Sequence, residues 1–467
     1  MPDWLAQHES VTFDPPASGW RCRPLPVAVE AVAFRGQLGL PTDRPIVMSG
    51  HQSAIWHAGI AAKVFALEAA AERFGAGSAW VVVDQDVGEA GRVAYPVRRR
   101  GADGQAPLAR AAVEMLPAEP RGLVTGRQAA GRARPVELEQ GVLPAAAVGL
   151  AAIAGALDRH AAAESRAMQV TRAALDLLRG SDRNPAGSAR DEPRAPVLVS
   201  ALALAHTDLF ARFIETMRRD PAGCVARYNE AVARHPEARL RALRSSSRAG
   251  AELPLWVITA GGTREPAHEA DLSAYSGVPV AGSSVLAPRA LTMTAMLRWG
   301  GCDLFIHGLG GGHYDPVMEE WLATWLGGRD LARAVVVSAT RLMPLVEDPP
   351  PTPELVARAR WAAHHARHNP ASGEAIARKR EMASAIRRAS GPERSRLFRA
   401  MHEWLAEQRR SRAAELAGLE GRAAEVALHA DLSAIVFDRT WAFPLLPESA
   451  RESLRSEVRA RVVAGQG

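Results

Sequence analysis

Histidines, glycines and one lysine cluster between residues 50 and 63, a combination suited to binding an anion. The candidate binding residues are Gly50, His51, Gln52, His57 and Gly59, and the candidate catalytic residue is Lys63. Imidazole and ammonium groups donate hydrogen bonds to phosphate or carboxylate, and glycine lets a flat ligand approach the backbone. Of the 57 Lys and Arg residues, only Lys63 and Lys379 are lysine. A lysine in this cluster therefore indicates a role in a small-molecule site.

A second polar segment begins at His307 and is rich in glycine. Its candidate binding residues are His307, Gly310, Gly311, Gly312, His313 and Asp315. Four glycines within positions 308–312 predict a backbone that takes positive φ or lies against a ligand, because glycine otherwise costs chain entropy. Asp315 followed by Pro316 predicts the N-cap and first residue of a helix. The alternative is a tight turn that binds nothing.

Two carboxylates and an arginine supply the remaining candidates. Asp84 and Asp86 follow an apolar run, where paired acids could orient an amine or accept its proton, so both are candidate catalytic residues. The alternative is a solvated strand end. Arg289 could clamp a carboxylate or phosphate. The three cysteines lie far apart without metal-ligand spacing, so we predict neither a disulfide nor a metal site.

The elements around these residues predict an α/β fold with a doubly wound parallel sheet. Residues 44–49 and 79–83 are short apolar runs, and residues 59–73 between them have helical periodicity that Gly75 ends. Further strands are predicted at 196–200, 253–258, 278–281 and 302–306, and further helices at 145–160, 162–179 and 207–219. In such a sheet, strand-to-helix loops share one edge, which would bring the two polar segments together.

Composition shifts divide the chain into five predicted segments. They are the first half of the core (1–97), a mostly helical insertion (98–195), the second half of the core (196–348), a helical arm (349–430) and a segment that returns to the core (431–467). Within the arm, Gly391 and Pro392 break the helices. A stripe of apolar residues spaced three and four apart, from Leu416 to Ala430, predicts either a coiled-coil homodimer or packing within the chain's own core.

The composition is that of a folded protein, with 47% hydrophobic and 23% charged residues among 467. There is no apolar run of about 18 residues and no signal-like start, so we expect a cytoplasmic protein without membrane contact. The net charge of +6 reflects an arginine bias across the whole chain, and nucleic acid is not the expected partner.

The first segment partly resembles the His-x-Gly-His signature of class I nucleotidyltransferases and class I aminoacyl-tRNA synthetases. His57-Ala58-Gly59 matches, whereas Ile60 stands where the second histidine would be. The role of that second histidine therefore does not carry over to this chain.

Taken in order, the motifs resemble the bacillithiol-biosynthesis cysteine-adding enzyme family. The resemblance rests on Gly50-His51-Gln52 with Lys63, on the run from Trp80 to Asp84 and Asp86, on Arg289, on the glycines through Asp315, and on the late helical arm. It implies a Rossmann-like core related to class I nucleotidyltransferases and a coiled-coil dimerisation arm. The implied reaction joins the carboxyl group of cysteine to the amine of a glucosaminyl malate.

Amide formation needs an activated carboxylate, so ATP is a possible cosubstrate. In that reaction Lys63, His57 and the glycine-segment amides would stabilise phosphate charge, while Asp84 or Asp86 would orient the amine or take its proton. Two other functions remain open. One is a nucleotidyltransferase that makes a nucleotide-activated metabolite, and the other is a non-enzymatic protein that binds RNA or a protein partner.

Overall fold

The chain folds as an α/β protein in the computed structural model, which describes residues 4–24, 28–99, 107–179, 195–274, 282–328 and 330–465. The strands are β1 (Ser10–Asp14), β2 (Ile46–Gln52), β3 (Gly77–Val83), β4 (Arg92–Arg98), β5 (Leu108–Glu114), β6 (Val197–Ser200), β7 (Glu252–Ile258), β8 (Arg264–His268), β9 (Val285–Pro288), β10 (Leu304–His307) and β11 (Arg333–Thr340). The helices are α1 (Leu5–His8), α2 (Val29–Gln37), α3 (Ala58–Phe74), α4 (Pro144–Arg159), α5 (Arg166–Arg179), α6 (Asp208–Arg219), α7 (Pro221–Arg234), α8 (Glu269–Ala274), α9 (Ala290–Met296), α10 (Leu309–Leu326), α11 (Pro353–His368), α12 (Gly373–Arg388), α13 (Gly391–Ser411), α14 (Ala413–Leu428), α15 (Ala430–Val436) and α16 (Glu448–Val463).

The largest sheet has six strands in the order β1-β11-β10-β2-β3-β6. β1 runs antiparallel to β11, and the other five strands are mutually parallel. From one side of the sheet to the other, the five parallel strands are β6, β3, β2, β10 and β11. Numbered by their order along the chain, they are the third, second, first, fourth and fifth parallel strands. The chain thus reverses its direction of winding between β2 and β10. In open parallel sheets, ligands bind at such a reversal, just beyond the carboxyl ends of the strands.

The central strands are apolar runs because both of their faces are covered. Ile46, Val47 and Met48 in β2 are fully buried, as are Trp80 and Val82 in β3. Such runs are typical of parallel strands between helices. α3 packs against β2, β3, β10 and β11, and it ends at Gly75, which takes the left-handed conformation at φ 59°. The predicted strand, helix, strand opening of a largely parallel α/β sheet is confirmed.

Two smaller sheets lie outside the main one, and one of them corrects a prediction. β4 pairs with β5, and β7 forms an antiparallel sheet with β8 and β9. The strand predicted at 253–258 therefore exists, but it does not continue the main sheet as expected. Of the two predicted strands that fall within residues 195–274, β6 does continue the main sheet. The strand predicted at 278–281 lies outside the described residues.

The chain divides into two compact units. The helical unit comprises the described parts of Met1–Leu5, Arg98–Arg110 and Pro344–Asp438. The sheet unit comprises the described parts of Ala6–Val97, Ala111–Met343 and Arg439–Gly467. In the helical unit α11 packs along α14, and α12 packs against α13. Gly391 begins α13 with φ 54°, where the sequence predicted a break.

The apolar stripe of α14 is partly covered within the single chain. Leu416 is buried, and Leu419, Ala423 and Val426 are half-buried. This burial fits the alternative in which the stripe packs in the chain's own core. Within the described ranges, no helix is both long and apolar enough to cross a bilayer.

Candidate functional site

A cavity of about 350 Å³ lies in the sheet unit at the reversal between β2 and β10. This volume is in the range of small-molecule sites. The structure brings two predicted clusters to one wall, with Gly50, His51, Gln52, His57, Gly59 and Lys63 from the first segment and His307, Gly310 and Gly311 from the second. The two clusters are some 250 residues apart in the chain. They meet because β2 and β10 are hydrogen-bonded neighbours that end at the same edge.

Lys63 is a buried cation to which the described residues bring no acidic partner. It lies in the first turns of α3, and its Nζ donates to the carbonyl oxygen of Gly50 at 2.5 Å. The amine also lies 5.2 Å from the centroid of the Trp80 ring, a cation–π contact. Burial lowers the pKa of Lys63 from 10.5 to about 7. An anion in the cavity would supply the charge partner that the described part of the chain does not provide.

The two histidines of the first segment are neutral at pH 7. His57 is the N-cap of α3, and its Nδ1 accepts from the backbone N–H of Gly59 at 3.1 Å. His51 Nδ1 lies 3.1 Å from the carbonyl oxygen of Gln52, which places the proton of that ring on Nδ1. Burial lowers the pKa of His57 to about 4 and that of His51 to about 3, and the Lys63 charge adds to both shifts. These rings therefore act as neutral hydrogen-bonding groups.

The glycine segment is helical, which corrects two predictions. α10 begins at Leu309, so Asp315 is not its N-cap and Pro316 lies inside the helix. No glycine at positions 308–312 has positive φ.

The glycines of this segment serve close packing instead of unusual backbone angles. A Cβ atom on Gly311 would lie 2.2 Å from Nδ1 of His307, and one on Gly312 would lie 2.4 Å from a methyl carbon of Val336. These two positions let α10 start directly against its own strand and against β11. A Cβ on Gly310 would meet nothing within 4 Å, and Gly310 lines the cavity.

Two helices, α3 and α10, begin at the cavity. Gly308 is the N-cap of α10 and supplies no side-chain acceptor, so this cap leaves the first N–H groups of α10 to a ligand. In α3 the His57 ring accepts from the N–H of Gly59, and the His57 carbonyl oxygen accepts from those of Ile60 and Ala61. The first N–H groups of a helix have no partner within the helix, and the helix dipole adds partial positive charge there. Both features favour an anionic ligand.

The charges around the cavity are one-sided. Lys63 and Arg439 line it, whereas no Asp or Glu does so among the residues that the structure describes. The lining also includes the apolar side chains of Val81, Val83, Met293, Leu297 and Phe305. A ligand with an anionic end and a flat or apolar end fits this division.

The predicted catalytic carboxylates do not line the cavity. Asp84 is buried, where its carboxylate accepts from the Ser200 hydroxyl and from the Leu202 backbone N–H at 2.9 Å. Burial raises the pKa of Asp84 to about 6. Asp86 lies 2.9 Å from Nη1 of Arg264. Asp84 thus ties β3 to the turn after β6, and Asp86 is held by an arginine.

Two other predicted residues, Arg289 and His313, also lie outside the cavity lining. Arg289 donates to the Leu255 carbonyl oxygen and to Glu252, both at 2.9 Å, and its guanidinium lies 4.1 Å from the centroid of the Trp256 ring. It therefore stabilises the small antiparallel sheet. His313 is exposed on α10.

Asp315 does not line the cavity but lies beside His307, which does. Its Oδ2 lies 2.9 Å from Nε2 of His307, an ion-pair distance whose angles do not make a hydrogen bond. The same oxygen lies 3.3 Å from Nη1 of Arg298, which sits on a π-helical turn, Leu297–Gly301. Asp315 therefore lies between one cation and the histidine that lines the cavity.

Sequence reasoning missed Arg298 and Arg439. No local pattern distinguishes them among 55 arginines, the 57 basic residues less the two lysines. Arg439 reaches the cavity because the C-terminal segment returns to the sheet unit, where Phe443 packs 5.8 Å from Phe65 and its N–H donates to the Trp56 carbonyl oxygen. The sequence predicted this return for residues 431–467.

No protein-family model matches the chain, and no curated protein matches its sequence. Within the described ranges, no group of three or more His, Cys, Asp or Glu side chains is placed to hold a metal ion. What the cavity binds therefore has to be inferred from its geometry and charge.

Proposed function

We propose that the chain is an enzyme that binds a phosphate-bearing small molecule, first of all ATP, in the cavity between β2 and β10. The observation that carries this proposal is the convergence of two helix N-termini and Lys63 on a cavity whose described lining has no acidic side chain. Phosphate binds at helix N-termini for the reasons given above. The five-strand order supports a Rossmann-like core of the class I nucleotidyltransferase type.

The reaction proposed is the activation of a carboxylate for amide formation, as the family resemblance implies. ATP would convert the carboxyl group of cysteine, or of a similar amino acid, into an adenylate or acyl phosphate, and the amine of an amino-sugar conjugate would displace the activating group. Lys63 and the first amides of α10 would stabilise the charge that develops on phosphate. The apolar side chains of the lining would hold the adenine ring.

The base for the attacking amine would not be Asp84 or Asp86, since both are engaged elsewhere. Lys63 is charged when it stabilises the phosphate, so it would not serve as this base. The unprotonated Nε2 of His51 would accept the proton, as a weak base, since burial lowers the pKa of that ring to about 3.

A nucleotidyltransferase is the second candidate, favoured by His57 at the strand-to-helix junction. Its Nδ1 accepts from the N–H of Gly59, so its proton lies on Nε2, which can donate to a phosphate oxygen. This reaction would release pyrophosphate without an amine acceptor, whereas amide formation requires one. Product analysis by mass spectrometry, with and without an amino sugar, separates the two.

The binding proposal is tested by the two lysines of the chain. The unfolding midpoint of the full chain is measured with ATP, ADP, sulfate and adenosine for the wild type, Lys63→Met and Lys379→Met. Lys379 is the matched control, because it lies in α12 and donates to Asn369 at 2.6 Å. We expect ATP and sulfate to stabilise the wild type and Lys379→Met, since a ligand stabilises the state that binds it. An equal shift in Lys63→Met would contradict the proposal.

We also propose a homodimer formed through the helical unit. Trp361, Phe398 and Leu355 are exposed there, at 62%, 50% and 45% of their surface. Light scattering of the wild type and of Trp361→Ser with Phe398→Ser tests this, and a monomeric wild type would exclude it.

A further inference from the structure

The hairpin of α12 and α13 in the helical unit ends in a cluster of arginines. Residues 387–399 are the last two residues of α12, a connection of two residues and the first nine residues of α13. We call these residues the hairpin end. They contain one acidic side chain, Glu393, and five arginines, which are Arg387, Arg388, Arg394, Arg396 and Arg399.

The arginine bias of the whole chain does not account for this cluster. Among its 467 residues the chain has 57 basic and 51 acidic ones, so about one residue in eight is basic and acids are nearly as frequent. At the hairpin end more than one residue in three is basic. Five arginines less one glutamate leave a net charge of +4 there, against +6 for the whole chain. A replacement of lysine by arginine cannot produce such an excess, because it leaves the acids in place.

The charge of the hairpin end is not neutralised by the described part of the chain. All five arginines are exposed, and no described carboxylate oxygen lies within 4 Å of their guanidinium nitrogens. The ion pairs described on α11 and α13 use other arginines, Arg367 with Glu420 and Arg410 with Glu407. Arg387 donates to the Ser384 hydroxyl oxygen at 2.9 Å, which carries no charge.

The positive charges are concentrated in a small space. Residues 391–399 span about 12 Å along α13, because an α-helix rises 1.5 Å per residue. Arg387 and Arg388 lie at the same end of the hairpin, since α12 packs against α13 and two residues join them. The first turn of α13 adds partial positive charge of its own. Like charges this close repel one another, so an anionic partner with several charges would relieve the repulsion.

We infer that the hairpin end binds nucleic acid through its phosphate groups. A guanidinium group donates two parallel hydrogen bonds to phosphate oxygens, which makes arginine well suited to such a contact. One strand of a nucleic acid carries a phosphate about every 3.4 Å along a duplex, so about three or four phosphates face a length of 12 Å. No residue of the cavity in the sheet unit takes part, and the inference does not depend on what that cavity binds.

An anionic membrane fits the hairpin end less well. Binding in a membrane surface buries an apolar helix face as well as pairing the charges. In α13 the apolar side chains of Leu397 and Met401 are half-buried and that of Leu405 is buried, so they are already covered within the helical unit. Phe398 is exposed beside them, and a single ring is a small anchor.

The experiment measures the fluorescence anisotropy of a labelled oligouridylate as the full chain is added, at several salt concentrations. Each phosphate contact to a single strand contributes about −0.7 to the slope of log K against log salt, so five contacts predict a slope of about −3.5. In Arg388→Gln with Arg394→Gln, Arg396→Gln and Arg399→Gln, we expect affinity to fall at least tenfold and the slope to approach about −1. Both changes follow from the loss of four contacts.

A matched variant removes the same charge from elsewhere on the surface. Four arginines of the sheet unit are exposed and have no described carboxylate within 4 Å, and each is replaced by Gln: Arg121, Arg132, Arg239 and Arg248. This variant has the same net charge as the hairpin-end variant, and we expect it to keep the affinity and the salt dependence of the wild type. Lys63→Met should do so as well. Circular dichroism and the unfolding midpoint check that both fourfold variants retain the fold.

Three results would overturn the inference. One is an equal loss of affinity in the two fourfold variants, because net charge and not the hairpin end would then determine binding. Another is a wild type that does not bind oligouridylate even at about 50 mM salt. The third is binding to vesicles of phosphatidylcholine and phosphatidylserine without binding to oligouridylate, which would assign the arginines to a membrane surface.

Discussion

The Nζ of Lys63 donates to the carbonyl oxygen of Gly50 at 2.5 Å, and this contact links α3 to the end of β2 at the mouth of the candidate site. The lysine is buried, and a carbonyl oxygen neutralises no charge. A buried ammonium group without a counter-ion destabilises the fold, as its lowered pKa shows. Retention of such a group in an arginine-dominated chain fits a ligand-binding role.

Replacement of Lys63 by Met is expected to raise the midpoint of thermal unfolding at pH 7. The pKa of Lys63 falls from 10.5 when unfolded to about 7 when folded, so the unfolded chain holds more protons between these values and stability rises with pH. The destabilisation caused by the buried Lys63 charge has its full size below about pH 7 and disappears above about pH 10.5. It amounts to several kcal/mol, which exceeds the ~1 kcal/mol of the lost hydrogen bond.

The measurement is thermal unfolding of both proteins between pH 6 and pH 10. The difference between them should shrink as the pH rises. Lys379→Met, whose lysine is half-buried and donates to Asn369, should show no such trend. A Lys63→Met variant that is less stable than the wild type at every pH would contradict the prediction.

Sulfate affinity is expected to fall as the pH rises above about 7. Sulfate itself does not titrate in this range, so the change reports the protein. Lys63 loses its charge as the pH passes about 7, whereas His51 and His57 are already neutral above about pH 4. A bound anion raises the lysine pKa, so binding near pH 7 to 8 takes up protons. Calorimetry in two buffers of different ionisation enthalpy measures this uptake, and its absence would argue against Lys63 as the binding group.

Alanine at three neighbouring glycines should separate binding from packing. At Gly310 the added Cβ meets nothing within 4 Å but stands at the cavity, so we expect an intact fold with weaker sulfate binding. At Gly312 the Cβ would lie 2.4 Å from Val336, which should cost about 1–3 kcal/mol. At Gly311 it would displace the His307 ring. Chemical unfolding and sulfate titration of all three variants check the pattern, and equal loss of stability at Gly310 and Gly312 would contradict it.

Asp84→Asn should leave ligand binding unchanged and alter stability through two opposing effects. An amide cannot accept from both the Ser200 hydroxyl and the Leu202 N–H, which costs about 1–3 kcal/mol, but the substitution also removes the charge that burial disfavours above about pH 6. Asp86→Asn, the matched control, breaks a partly exposed ion pair and should cost ~1 kcal/mol or less.

The pH dependence offers a second test of Asp84. Its pKa is raised from 3.8 to about 6 in the folded chain, so the folded state holds the proton over this range. The contribution of this group to stability therefore falls as the pH rises from about 4 to about 6. The Asn variant should lack this loss. Weaker sulfate binding in Asp84→Asn would instead indicate that Asp84 belongs to the binding site.

Local sequence patterns were sufficient to predict the helices and strands whose bounds depend on residues close in the chain. The strand, helix and stop of residues 44–75 follow from apolar spacing and Gly75, and they hold in the structure with small shifts of the ends. The helices of the arm and the break at Gly391 were predicted in the same way. The start of α10 was not, because tight packing against His307 and Val336, and not an Asp-Pro cap, determines where that helix begins.

By itself, the sequence determined the α/β class, the two polar segments and the lysine that stands out among arginines. Those features are set by residue type and by spacing over a few turns. Tertiary structure alone decided which side chains share the cavity. It places Arg439 in the lining, and no described carboxylate lies there. It also pairs Asp84 with Ser200 and Arg289 with Glu252. The physical reason is that charges are paired through contacts between distant parts of the chain, and spacing along the sequence carries no record of those contacts.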